Sequence, residues 1–266
     1  MAHFIQTIFQ RSFALGALGA VHFLAFVIFL ALMYFDNRVL MGVNVWLKPM
    51  KFAVSIGIFL WTMAWLVGYL AESPTKTLAI WLMVSTMIIE MVCIAGQAGR
   101  GVLSHFNIQT PMDGAIFGIM GVAIGVNTVA VGMIAWLFFQ ESFIAGITLE
   151  PAYIWAIRLS FGIFIVASLQ GYLMGGRLQH SVGAPDGTLG LPLLNWSRSV
   201  GDLRVAHFIG LHAIQILPLF GFFLAQRLSS QNALIAVIAL ALVYGGVCIL
   251  ALLQALAGVP FLKSLG

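Results

Sequence analysis

Charge is the scarcest property of this chain. Of 266 residues only 12 are Lys or Arg and 8 are Asp or Glu, 8% in all. A soluble domain carries about 25% charged residues, so a water-soluble globule is excluded. Disorder is excluded as well, because it requires low hydrophobicity and 62% of this chain is apolar. Cysteine is nearly absent. Cys93 and Cys248 stand in apolar stretches without a CxxC partner, which removes thiol-redox and zinc-ribbon motifs of that kind. No segment gathers Lys and Arg around aromatics on a soluble face, so nucleic acid is not an expected partner. HExxH and G-x-S-x-G are missing too.

Long apolar runs dominate instead. A membrane-crossing helix needs about 20 mostly apolar residues. Seven segments qualify: 12–35, 52–71, 77–99, 114–140, 152–176, 205–226 and 233–258. Backbone in lipid must satisfy its own hydrogen bonds, so the expected fold is an all-α integral membrane bundle of seven transmembrane helices, a single polytopic domain. Ser73-Pro74, Thr110-Pro111 and Glu150-Pro151 mark three helix starts, each with Pro at a first helical position. The first run is longer than the apolar part of a signal peptide and lacks an A-x-A site, so it reads as a retained span. Trp65, Trp81, Trp136 and Trp155 fall near one membrane face, as an aromatic belt does. No internal repeat is convincing.

The spans alternate between two faces. Side A, with the N-terminus, carries Arg11, Lys76, Arg158 and Arg227. Side B carries Arg38, Lys48, Lys51, Arg100, Arg177, Arg198, Arg204 and Lys263. The positive-inside rule makes side B cytoplasmic and the N-terminus external, as in a bacterial-type inner membrane. The long connection 176–204 is on side B and, at that length, reads either as functional or as a slack linker. Gly114, Gly118, Gly121, Gly125 and Gly132 form a small-residue stripe on the fourth span. It suits close helix packing first, within the chain or with another subunit, and it also leaves room for a flat cofactor ring.

Ionisable groups inside a bilayer are costly, so each is a functional candidate. His22, Glu90, Asn127, His212 and Gln215 come from four spans at similar depth. Glu90, Gln97 and Ser104 recur every seven residues, with Arg100 beside them, and QAGRGVLSHFN then delivers His105 and Asn107 to side B. NVWLKPMKF adds Lys48 and Lys51; GDLRVAHFIGLH adds Asp202, Arg204 and His207. The expectation is a funnel, basic at its side-B mouth. The bland counterpart is snorkelling lysines, a helix-capping His105 and a His22 bonded to a neighbouring helix. His207 and His212 project about 140° apart on a regular helix, so one ion cannot take both.

Three readings follow. In the first, haem b serves membrane-linked electron transfer. His22 and His212 are its axial ligands, and Lys48, Lys51, Arg100 and Arg204 meet its propionates. In the second, a metal enzyme acts on a lipid or amphiphile. Its single transition-metal ion is held by His22, Glu90 and His212, or zinc is held by His105, His180, His207 and Asp202. The catalytic candidates are Glu90, Arg100 and His105; the metal candidates are His22, His212 and His207. In the third, a proton-coupled transporter or sensor uses Glu90 as its proton site. The expected partners are the bilayer, and a quinone, lipid or anionic small molecule at side B. An oligomer or a larger membrane complex is also open.

Overall fold

A computed structural model describes residues 2–187 and 190–262; Lys263 lies outside them. The chain divides into two compact units, Met1–Ile147 and Thr148–Gly266.

The first unit runs α1 (Ala2–Arg11), α2 (Phe13–Phe35), a hairpin of β1 (Val39–Leu40) and β2 (Val43–Asn44), α3 (Leu47–Val67), α4 (Pro74–Arg100) and α5 (Pro111–Phe139). The second runs α6 (Pro151–Arg177), β3 (Ser181–Val182), β4 (Gly201–Asp202), α7 (Arg204–Leu211), α8 (Ala213–Arg227) and α9 (Ser230–Leu256). Among the described residues six helices are long and apolar enough to cross a membrane, seven if the bent pair α7 and α8 is counted as one span. The expected all-α membrane bundle is what forms.

The proline starts stand. Pro74, Pro111 and Pro151 each open a helix, and the Ser73 and Thr110 hydroxyls accept from the backbone N–H groups of Lys76 and Asp113. These caps satisfy amides that no carbonyl can reach in a first turn.

Four details depart from the sequence reading. Residues 2–11 form a separate helix before Ser12; Arg11 donates to the Trp65 carbonyl at 2.6 Å and lies over the Trp65 ring, 3.9 Å from its centre. The second span begins at Leu47 rather than 52, which puts Lys48 and Lys51 inside the first two turns of α3. The sixth span breaks at His212 with a 40° bend. Pro218 withholds the N–H that would bond residue 214 and crowds that carbonyl, which disrupts the turn before it. The stretch after Arg100 is not helical, because Gly101 adopts the left-handed conformation, φ 73°. Ser104 therefore leaves the Glu90–Gln97 stripe.

Two tight helix pairs build the first unit. In α2/α3, small residues receive rings: the Trp61 indole lies over Gly19 and donates to the Gly16 carbonyl at 3.0 Å, and Phe23 lies over Gly57. Such close approach replaces the hydrophobic drive that lipid does not supply. In α4/α5, buried residues recur every seven positions, Lys76, Met83, Glu90 and Gln97 against Asp113, Met120, Asn127 and Ile134. The two pairs meet more sparsely, through α4. Three of the fourth-span glycines are not consumed by packing: a Cβ on Gly118, Gly121 or Gly132 would meet no atom within 4 Å.

In the second unit α6 packs against α7, α8 and α9. Gly210 and Gly221 sit directly against Ala167 and Ala156 of α6, and the Tyr244 hydroxyl donates to the Ile209 carbonyl at 2.6 Å.

Candidate functional site

The first unit buries His22, Glu90 and Asn127, and two of its helices, α2 and α5, bury a polar atom without a partner. His22 is 2% exposed. Its Nδ1 donates to the Leu18 carbonyl one turn back, at 2.8 Å. A carbonyl only accepts, so in the neutral ring the proton sits on Nδ1 and Nε2 keeps a lone pair. The Met87 backbone on α4 lies near the ring, and Nε2 makes no well-formed hydrogen bond. Asn127 Oδ1 on α5 is in the same condition. Glu90 is 5% exposed, and the cation acting on it is Lys48.

The α4/α5 register orders these groups. Gln97 faces Asp113 across the seam, which sets Glu90 level with Met120 and Met83 level with Asn127. One heptad is about 10 Å of helix. Polar atoms therefore line α4 from Asn127, past His22 beside Met87, to Glu90.

Lys48 opens this line to side B. Its ammonium is 5.9 Å from the centre of the Phe52 ring. Phe52 in turn lies 5.5 Å from the His105 ring, and His105 is 6.5 Å from Phe117 of α5. The Ser104 hydroxyl and His105 Nδ1 share a hydrogen bond of 3.0 Å. Phe106 has φ 58°, a left-handed conformation that bulky residues avoid. Asn107 holds the turn: its amide donates to the Leu103 carbonyl, and its oxygen accepts from Gln109 N–H.

Other candidates are committed elsewhere. Arg100 pairs with Asp113 at 2.8 Å and donates to Gln97, so it fastens the α4/α5 end. In the second unit Arg204 grips Asp202 through Nε and Nη2 and donates to the Asn195 carbonyl. Burial alone would push the Asp202 carboxyl up; Arg204 and the Ser197 amide outweigh it and hold the group below the ordinary carboxylate range. Asp36 and Arg38 repeat the same Asp-x-Arg clasp in the first unit, and Arg38 keeps Asp36 low. Sequence reading missed both clasps, although the i, i+2 spacing was visible.

The residues of the proposed zinc set are divided between the two units. His105 belongs to the first unit. In the second, His207 Nδ1 donates to the Ala167 carbonyl at 2.7 Å, while His180 faces Asp186 and Asp202 at 3.3 and 3.7 Å. Among the described residues no three His, Cys, Asp or Glu side chains group as metal ligands. His212 Nδ1 bonds the Gln215 amide oxygen at 3.2 Å, at the break between α7 and α8. His22 and His212 lie in different units. Comparison with protein-family models, with curated proteins and with solved structures returns no match.

Proposed function

We propose that the protein is a proton-linked membrane carrier. Glu90 is its proton-binding group, His22 and Asn127 line the polar path, and Lys48 and Lys51 meet an anionic solute from side B, the cytoplasmic face in this reading. The carrying observation is that, in one unit, α2 and α5 each bury a polar atom with no hydrogen bond and α4 buries a carboxyl group. Each such group costs about 1–3 kcal/mol, and lipid offers no water to relieve it. An apolar residue would pack there at no such cost, so the groups are kept for what they do. The broken α7/α8 span supports the same reading, since interrupted helices near mid-membrane are a transporter feature.

Infrared pH titration of the protein in nanodiscs tests it, paired with dye-reported proton uptake in liposomes. The wild type should show a titrating buried carboxyl that Glu90→Gln removes, together with proton uptake. Identical titrations for the two proteins overturn the assignment.

One observation favours a second reading, haem ligation. His22 presents a bare Nε2 and anchors Nδ1 on a carbonyl, the arrangement that ligating histidines use. A Soret band that disappears in His22→Ala would establish it in place of the carrier.

A further inference from the structure

The mouth of the Glu90 site is built from one cation and a set of rings. Lys48, Phe52 and His105 stand in sequence, with Phe117 beyond and Phe106 edge-on to both His105 and Phe117. Phe106–Phe117 ring centres are 5.7 Å apart. Phe52, His105, Phe106 and Phe117 are all half-buried. A left-handed Phe106 is retained although it stores backbone strain, and such strain gathers where a ligand is gripped. Two features recognise different parts of one ligand. The rings accept a flat apolar body, edge-to-face or stacked. The ammonium accepts a negative charge.

Lys48 also acts on Glu90. The same cation therefore serves the proton site and the mouth. The groups acting on Glu90 are Lys48 from α3 and Cys93 on α4 itself; His22 of α2 lies against Met87, one turn along α4, and on α5 the charged neighbour is Asp113, already paired with Arg100 two turns away.

From this geometry we infer that the solute is an aromatic monocarboxylate, bound together with one proton. The inference rests on Glu90 being the proton site. With Glu90 ionised, its charge occupies the field of Lys48. When Glu90 takes a proton, that field turns to the carboxylate of the solute, whose ring lies among Phe52, Phe117 and His105. Ligand carboxylate and proton arrive together, so the loaded site carries the same net charge as the empty one. Binding one promotes binding the other, because the two carboxylates compete for one cation.

The test is binding of benzoate to the full chain in nanodiscs at about pH 6 and pH 8, where benzoate stays ionised throughout. Benzamide, acetate and inorganic phosphate serve as comparison probes. Wild type should bind benzoate at least tenfold more tightly at the lower pH, and more tightly than all three comparison probes. Glu90→Gln should hold the tight affinity at both pH values. Lys48→Met should lose it, Lys48→Arg should retain it, and Phe117→Leu should weaken benzoate but not acetate. Equal affinity for benzamide overturns the role of charge; equal affinity for acetate overturns the role of the rings. If benzoate fails to bind while the Glu90 carboxyl titrates in the infrared, the solute class is wrong and the proton site stands. If no carboxyl titrates, both are wrong.

Discussion

The Gln97 amide donates to the Asp113 carboxylate at 2.9 Å, joining α4 to α5 just where the chain turns between them. Asp113 also accepts from Arg100 and from the Thr110 hydroxyl. One buried carboxylate thus satisfies three donors, two from α4 and one from the cap of α5. Asp113→Ala leaves the buried Gln97 amide only its 3.4 Å bond to the Leu103 carbonyl, and leaves Arg100 without its counter-ion. Arg100 is 39% exposed, so water offsets part of its loss. The expected cost is about 2–3 kcal/mol, read as a lowered midpoint of thermal unfolding in detergent. An unchanged midpoint would show that α4 and α5 are held by packing alone.

What the sequence revealed, and what it hid, follows from range. Six of the seven apolar runs each became one helix, and the run 205–226 a bent pair, because length and hydropathy decide a span without reference to neighbours. Proline with a capping hydroxyl located the starts of α4 and α5 to the residue. Glu90 stood out as a charge in mid-span. Its cation did not, because assigning the second span to 52 left Lys48 outside a helix that contains it. Arg100 and Arg204 looked like cations for a ligand; their partners, Asp113 and Asp202, come from caps and turns that only the folded backbone brings within reach. The α7/α8 break was hidden for the same reason, since Pro218 is common in continuous spans and its effect depends on context.

The strap between α6 and α7 should be acid-sensitive. Asp202 is lowered from its ordinary value, with Arg204 and the Ser197 amide overcoming burial. A lowered folded pKa gives stability that is present above the unfolded value, about 3.9. That stability falls away as pH drops through the folded value. The strap therefore holds at neutral pH and loosens below about pH 4. Hydrogen exchange of the Ser197 amide, corrected for intrinsic rate, should lose protection in acid. Asp202→Asn should lose it already at pH 7; equal protection in that variant would remove Asp202 from the latch.

Two glycines give opposite forecasts. A Cβ on Gly201 would overlap the backbone carbonyl of Ala255 on α9. Backbone cannot swing aside as a flexible side chain does, so Gly201→Ala should cost about 3 kcal/mol or more. At Gly118 a methyl meets open space. Gly118→Ala should be neutral or gain up to about 1 kcal/mol, since it reduces the helix's entropic penalty. Paired unfolding curves decide both. A large loss at Gly118 would instead show that the stripe on α5 is covered by a second molecule.

The carrier reading makes an unusual demand on stability. His22 Nε2 and Asn127 Oδ1 are buried without partners, so they weaken the fold they belong to. Replacing an orphaned polar group by an apolar one of similar size removes that cost. Asn127→Leu should raise the unfolding midpoint, by about 1 kcal/mol of stability, and His22→Leu should do the same less its Leu18 hydrogen bond. Both should abolish proton uptake while the thermal curve moves upward. A residue kept for structure behaves in the opposite way: its removal lowers the midpoint and affects function only through lost fold. Thermal unfolding and proton uptake measured on the same preparations separate the two, and a lowered midpoint for Asn127→Leu would assign that side chain to packing.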